Sequence, residues 1–408
     1  MAAPVVSVGL AFRLPAEYSH DYLQHSFSCS GIQMSVFTAY FCGTGSHRFD
    51  AANPNFWNGE LVSTLAGNDQ GREFAHWIAV DGPGSGNLQD DELFVEPGGY
   101  FNWSGQLFGR GWEENVSHVL NVIKGESSWQ RTKLTEEAYT RLRDAGVPIP
   151  DASATASWFW RTYDYGDRHP TPQALQEQII KIFRKPRLPT QVNLVGWSRG
   201  GISCHMLANA MAEDPDLKDI PVNIFAIDPV PGVGNVQAER VSLAGNVREY
   251  VGFYSRDERS KGFACVIPAV EPGTRMCIYP MPGRHATLVG NASADGASDG
   301  KVLVEPGLIV RHFAEVCLTR WGVELDKCLA LDDNQLMQHH LAMAAADEDY
   351  QAMRSQSYTV ITEGEKDDRL VHCGETRTRF SQVRSDSYDT REGLGLQHWD
   401  ANTYKALR

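Results

Sequence analysis

Residues Gln191 to Gly201 run Gln-Val-Asn-Leu-Val-Gly-Trp-Ser-Arg-Gly-Gly, and a helical pattern follows from Ile202 to Met211. An apolar strand-like run thus breaks into Gly-x-Ser-x-Gly and passes into a helix within a few residues. A chain can do this only through a very tight turn. Ser198 is expected at its tip, with its hydroxyl clear of the backbone. Gly196 and Gly200 flank it because a Cβ at either place would collide with the neighbouring strand or helix. The same turn aims the first N–H groups of the helix at the serine, where a developing oxyanion would be held. The five-residue pattern also arises by chance; the strand before it and the helix after it give it meaning.

Other strands follow the same logic. Gly31 to Phe41 is predicted as a strand that ends in Cys42-Gly43-Thr44-Gly45-Ser46-His47. Phe74 to Val80 is a second, followed by Asp81-Gly82-Pro83-Gly84-Ser85-Gly86-Asn87. Small residues at a strand's end let the backbone approach a ligand closely. Neither loop has the spacing of a phosphate-cradling P-loop, and no Gly-Lys-Ser/Thr occurs, so a nucleotide cofactor is not expected. Beyond the serine, Val222 to Ile227 ends in Asp228-Pro229, Val247 to Tyr254 in Ser255-Arg256-Asp257, and Arg275 to Tyr279 in Met281-Pro282-Gly283-Arg284-His285. Four successive strands therefore end in loops carrying Ser198, Asp228, Asp257 and His285. Helical patterns are predicted at Asn58 to Ala66, Glu113 to Lys124, Leu134 to Ala145, Thr171 to Phe183, Leu308 to Trp321 and Asn334 to Arg354. Strands alternating with helices imply a mostly parallel sheet with ligands at its carboxyl edge. The aromatic cluster Ser157-Trp158-Phe159-Trp160-Arg161-Thr162-Tyr163 reads either as core or a strand, or as the lining of an acyl pocket.

Composition narrows the function. The chain has 408 residues and a formal net charge of -14, which argues against a nucleic-acid binder and a polybasic membrane anchor. No transmembrane run and no Sec signal stand out, so synthesis in the cytoplasm is expected. The eight cysteines are scattered without a Cys-x-x-Cys, so neither a zinc site nor a redox pair is expected. No metal and no cofactor are predicted.

A neutral serine hydroxyl needs a base within hydrogen-bond reach, and the base needs a carboxylate to fix its tautomer. His285 is the candidate base among 13 histidines, because it follows a late strand on an abrupt Pro-Gly loop. His205 would point away from the serine, and His47 and His76 come early in the chain. Two acids compete. Asp228 ends the strand directly after the serine unit, and Pro229 offers no competing N–H. Asp257 ends the next strand but has Arg256 and Arg259 beside it. The balance favours Asp228, and the other acid can still shape the site. Arg199, Gly43 and Thr44 are the candidate oxyanion donors, and Gly84 and Trp197 the candidate substrate-binding residues.

The ordered set resembles a known family. Gly196-Trp197-Ser198-Arg199-Gly200, the Gly43-Thr44-Gly45 loop, Asp81 to Gly86, Asp257-Glu258-Arg259 and Pro282-Gly283-Arg284-His285 together look like a group of α/β-hydrolases that includes the Tle-like phospholipase effectors of the bacterial type VI secretion system. That family carries Gly-Phe-Ser-Arg-Gly at the serine turn and an aspartate at the next strand end, which adds weight to Asp228. The likeness covers roughly residues 34 to 290. Cys42 stands where the family has Asp, and Ala286-Thr287 where it has Ser-Asp. The resemblance implies an α/β-hydrolase fold: a mostly parallel central sheet flanked by helices, with an inserted helical cap region. From the residue patterns, the chain is expected to comprise an arm at 1–30, a core at 31–300 with an insertion at about 88–156, and a C-terminal helical and irregular region at 301–408. The resemblance further implies a lipase or phospholipase acting on lipid or small ester substrates, released through a dedicated secretion system, with an immunity protein and secretion machinery as partners. An acyltransferase or thioesterase could use the same three residues, and a non-catalytic binding scaffold could share the fold.

Overall fold

The computed structural model describes residues 36–48, 50–57, 59–83, 112–125, 134–135, 153–156, 161–164, 180, 187–291, 301–356, 361, 368–383 and 402–408. Strands β1 (Val36–Phe41) and β2 (Trp77–Val80) enclose helix α1 (Leu61–Asn68), and helix α2 (Trp112–Lys124) follows. Strands β3 (Leu134–Thr135), β4 (Ser153–Ala156) and β5 (Arg161–Asp164) form a small antiparallel sheet. Then come β6 (Gln191–Trp197), α3 (Arg199–Glu213), β7 (Val222–Ile227), α4 (Ala238–Val241), β8 (Ser242–Leu243) and β9 (Val247–Ser255). Strands β10 (Cys265–Ile267), β11 (Ala269–Val270) and β12 (Arg275–Met281) precede α5 (Glu305–Arg320), α6 (Asp333–Ala345) and α7 (Asp347–Ala352). The hairpin β13 (Leu370–Cys373) and β14 (Thr376–Arg379) comes last among the strands.

The central sheet has the order β12-β9-β7-β6-β1-β2, and every pairing in it is parallel. The chain builds outward from β1 to β2, then returns to lay β6 on the other side of β1 and continues outward through β7, β9 and β12. The reversal lies between β1 and β6. In open parallel sheets the crevice at the carboxyl ends of the strands flanking such a reversal is where ligands bind. Register aligns the strand ends there: Phe41 pairs with Gly196, Trp197 with Ile227, Ile227 with Phe253, and Met281 with Ser255. The residues after these strands therefore share one edge.

Both faces of the sheet are covered, as the near-continuous apolar strands require. Phe37, Leu194, Ile224 and Tyr250 face one layer with α2 and α3, and Tyr40, Val195, Phe225 and Phe253 face the other with α1, α5 and α6. Side chains alternate between the two layers because successive residues of a strand point to opposite faces.

Three expectations change. The predicted helix at Leu134 to Ala145 does not begin as one: Leu134 and Thr135 pair with Tyr163 and Thr162 as a strand. The helix α2, expected in a cap, packs Trp112, Val116, Val119, Val122 and Ile123 into the main core, because these positions form one helical stripe. The predicted helix over Asn334 to Arg354 breaks at Ala346, whose φ of -98° and ψ of 13° end α6 before α7 begins. The arm at 1–30, most of the insertion at 88–156, the aromatic run Trp158 to Trp160 and most of the predicted helix at Thr171 to Phe183 lie outside the described residues.

Candidate functional site

Ser198 is the junction between β6 and α3. Its φ is 57° and its ψ is -128°, and its side chain makes no capping hydrogen bond to the helix that it starts. Serine at this position ordinarily caps the helix through its hydroxyl. Here the turn is fixed from the backbone: Ser198 N–H donates to Ile227 O at 3.1 Å, and Ser198 O accepts from Val230 N–H at 3.1 Å. A Cβ on Gly196 would lie 2.3 Å from Gly200 O, and one on Gly200 would lie 2.2 Å from Phe41 O. Both obstacles are backbone, so the two flanking glycines are required by the helix on one side and by β1 on the other. Four non-glycine residues among those described hold a positive φ, and two of them are Ser198 and Asp228, at 57° and 44°. Such conformations cost of order 1–3 kcal/mol each, and they collect where geometry serves function.

Asp228 ends β7 with its carboxylate fully buried. Its Oδ2 lies 2.6 Å from His285 Nδ1 and accepts from Ser255 Oγ at 2.9 Å, and its Oδ1 accepts from Ser255 N–H at 3.0 Å. Arg369 donates to both oxygens, Nη1 to Oδ1 at 2.5 Å and Nη2 to Oδ2 at 2.8 Å. Burial would raise the acid's pKa, but the Arg369 charge and the His285 hydrogen bond prevail and hold it well below the usual carboxylate range.

His285 begins a 3-10 turn, His285–Val289, after β12. The ring is buried between two aromatic side chains. Trp197 lies with its ring centroid 5.1 Å away, and Phe263 meets it edge-on at 5.1 Å. Nδ1 is engaged by Asp228, whereas Nε2 is buried and has no hydrogen-bond partner among the described residues. The Ser198 hydroxyl and Nε2 therefore share no hydrogen bond in this structure; such bonds commonly form only when substrate is present.

Asp257 sits elsewhere. Its Oδ2 accepts from Gly283 N–H at 2.9 Å, and its oxygens take Arg256 Nε at 3.1 Å and Arg354 Nε at 2.7 Å. Glu258 beside it accepts from His285 N–H at 3.2 Å. These two acids hold the backbone of the histidine loop rather than its imidazole. Among the other histidines, His205 is fully buried with Nδ1 2.8 Å from Arg240 O, and burial lowers its pKa to about 4.

Gly43 and Thr44 follow β1, beside the serine turn. A Cβ on Gly43 would fall 2.3 Å from Trp197 Cε2, so the glycine lets the indole lie flat against this loop. Gly45 N–H donates to Pro83 O at 3.2 Å, while the N–H groups of Gly43 and Thr44 take no backbone acceptor among the described residues. Arg199 opens α3, and its Nη1 donates to Thr44 Oγ1 at 3.0 Å, which ties the serine turn to this loop. Burial lowers the Arg199 pKa to about 10. Gly84 lies outside the described residues. Among the described residues no group of three or more His, Cys, Asp or Glu side chains is arranged to hold a metal ion, and no helix is long and apolar enough to cross a membrane.

Arg369, Ser255 and Phe263 surround the Asp228–His285 pair, yet sequence reasoning did not single them out. Ser255 ends β9, and Phe263 lies in the loop after it, beyond Asp257. Arg369 comes from a polar stretch 141 residues beyond Asp228, without a motif to mark it.

No protein-family model matches the chain, and no curated protein matches it. Among solved structures it is similar to the crystal structure of an uncharacterized protein from Pseudomonas aeruginosa, at 14% identity and a TM-score of 0.44. That match covers 78% of this chain and 52% of that one, so the chain spans about half the length of the Pseudomonas protein. It is also similar to the Tle1 effector bound to the VgrG spike of the type 6 secretion system, at 10% identity and a TM-score of 0.35, over 81% of this chain and 82% of that one. Both are distant resemblances.

Proposed function

We propose that this protein is a serine hydrolase that cleaves carboxylic esters, with lipid or phospholipid acyl esters as its substrates. Ser198 attacks the acyl carbon, His285 takes its proton and returns it to the leaving alcohol, and Asp228 holds the imidazole tautomer with the proton on Nδ1. The N–H groups of Arg199, Gly43 and Thr44 hold the oxyanion.

One observation carries this reading. His285 is bonded through Nδ1 to a buried, ionised carboxylate, and its other nitrogen is buried and unengaged at the strand ends where Ser198 stands. An imidazole held in this way is a base without a protein proton to take, except from a nearby hydroxyl. Strain at Ser198 and its unused capping capacity support the same reading. Asp257 is assigned to the loop and not to the base, because its oxygens are taken by Gly283, Arg256 and Arg354. The lipid assignment rests on the sequence resemblance, and the apolar walls that Trp197 and Phe263 place around His285 suit an acyl ester. Delivery as a secreted effector, opposed by an immunity protein, belongs to the same proposal.

The test is a panel of phospholipid, glycerolipid and short-chain ester substrates read by mass spectrometry. Release of fatty acid from lipid vesicles is expected, with loss of release in Ser198→Ala. Transfer of the acyl group to an added alcohol in preference to water would favour the acyltransferase reading, and turnover of thioesters alone would favour the thioesterase.

A further inference from the structure

The proposed chemistry leaves unexplained the guanidinium bound to Asp228. Arg369 immediately precedes β13, which runs parallel to β10, with Cys265 paired to Val371 and Ile267 to Cys373. Strand β10 is in turn tied to the loop after Asp228, since Val266 N–H donates to Pro229 O at 2.9 Å. On its other side Arg369 O accepts from Phe380 N–H at 2.8 Å. A short strand addition therefore delivers this one side chain, 2% exposed, to the strand ends of the central sheet. Besides its two bonds to Asp228, it donates through Nη1 to Ser255 O at 2.5 Å and Ser255 Oγ at 2.8 Å, and through Nη2 to Phe263 O at 3.1 Å.

The geometry has two effects. Two N–H groups on two carboxylate oxygens fix the plane of the carboxylate, as a single donor cannot. The plane fixed here is the one that presents Oδ2 to His285. The guanidinium also cancels much of the Asp228 charge as felt by the imidazole. We infer that Arg369 is a positioning residue for the proposed base: it orients Asp228 toward His285 and so holds the imidazole in place. This inference rests on the reading of Ser198, His285 and Asp228 as the reacting triad.

Other ionisable groups close by are Cys265, which interacts electrostatically with Asp228 and Arg369, Glu258, which accepts from His285 N–H at 3.2 Å, and Arg259. Asp257 holds Gly283 N–H and is itself held by Arg256 and Arg354, and Arg284 and Asp368 adjoin His285 and Arg369 in the chain. Glu258, Cys265 and Arg259 feel the Arg369 charge directly, so Arg369→Lys, which keeps that charge, is the control for Arg369→Gln. Removing its positive charge favours the protonated imidazole, so the base is lost at a higher pH.

The experiment measures kcat and KM for a p-nitrophenyl ester across pH with the full-length wild type, Arg369→Gln and Arg369→Lys, each checked for folding by circular dichroism. In Arg369→Gln the acidic limb of kcat/KM is expected to move up by about one pH unit. Its kcat should fall by about 100-fold at nearly constant KM, the cost of a misplaced catalytic group. Arg369→Lys keeps the charge but not the fork, so it should keep the wild-type limb and recover part of kcat. Where the Gln variant fails to fold, the low-field NMR resonance of the His285 Nδ1 proton in the Lys variant decides: a displaced resonance with lowered kcat supports the inference. An unchanged limb in folded Arg369→Gln, or an unmoved resonance with wild-type kcat in Arg369→Lys, overturns it. A wild type that turns over neither esters nor thioesters at any pH overturns the triad reading on which it rests, and that result needs no variant.

Discussion

Asp228 Oδ2 stands 2.6 Å from His285 Nδ1, 57 residues apart in the chain, while the opposite ring nitrogen has no partner among the described residues. Asparagine in place of Asp228 would present an N–H or a weak acceptor to Nδ1 and lose control of the tautomer. Asp228→Asn is therefore expected to lower kcat toward an ester by about 10⁴-fold with little change in KM. Asp257→Asn should behave differently. It loosens the Gly283 loop, so it should lower the melting temperature and reduce kcat by about tenfold or less. Steady-state kinetics on both variants check this: an equal loss would contradict the assignment of the acid, and a larger loss in Asp257→Asn would reverse it.

The glycine after the first strand makes a second prediction. Alanine at Gly43 would put Cβ 2.3 Å from Trp197 Cε2, an overpacking that costs about 1–3 kcal/mol. Chemical denaturation of Gly43→Ala should show a loss in that range. Trp197→Phe in the same chain should restore part of it, because the two sites share one contact. At Gly200 the obstacle is the carbonyl oxygen of Phe41, 2.2 Å away, so no side-chain replacement should rescue Gly200→Ala. A Gly43→Ala variant as stable as wild type would contradict the packing described.

A third prediction concerns pH. Glu60 caps α1, accepting from Val62 N–H and Ser63 N–H at 2.9 and 2.8 Å and from the Ser63 hydroxyl at 2.6 Å. Burial, helped by Asp50 and opposed by those hydrogen bonds, lifts its pKa from the ordinary 4.5 to about 7. Between these values the folded chain keeps a proton that the unfolded chain has released, so this group's contribution to stability falls as pH rises. That contribution is fully present below about 4.5 and lost through about 7. Denaturation of wild type and Glu60→Gln across this window should show wild type losing stability relative to the variant as pH rises. A constant difference, or one of opposite slope, would contradict it.

Much of this architecture was legible in the sequence, for a physical reason. Buried parallel strands are short apolar runs, and here each is cut off by a turn-forming residue: Gly196-Trp197-Ser198, Asp228-Pro229, Pro282-Gly283. Periodicity therefore placed β6, β7, β9 and β12 and the residues at their ends. What it could not place were contacts made by strands too short to have a period. Strand β10 has three residues and β13 four, and neither is an alternating run, yet their pairing is what brings Arg369 to Asp228. The break between α6 and α7 was hidden for the opposite reason. Leu336, Met343 and Tyr350 are all buried and seven residues apart, so the apolar repeat runs on through a point where the backbone stops being helical. Which of Asp228 and Asp257 meets the imidazole was not legible either, since the Asp228 contact with His285 and the Gly283 N–H on Asp257 form only once β7, β9 and β12 lie side by side.

The central claim is that Ser198 is a nucleophile activated by His285. Labelling the full-length protein with a fluorophosphonate probe measures this most directly, because the probe bonds only to an activated serine. Wild type should label at a single site that maps to Ser198. Ser198→Ala should not label, and His285→Ala should label far more slowly. An unlabelled wild type, or a Ser198→Ala variant that labels as wild type does, would contradict the account.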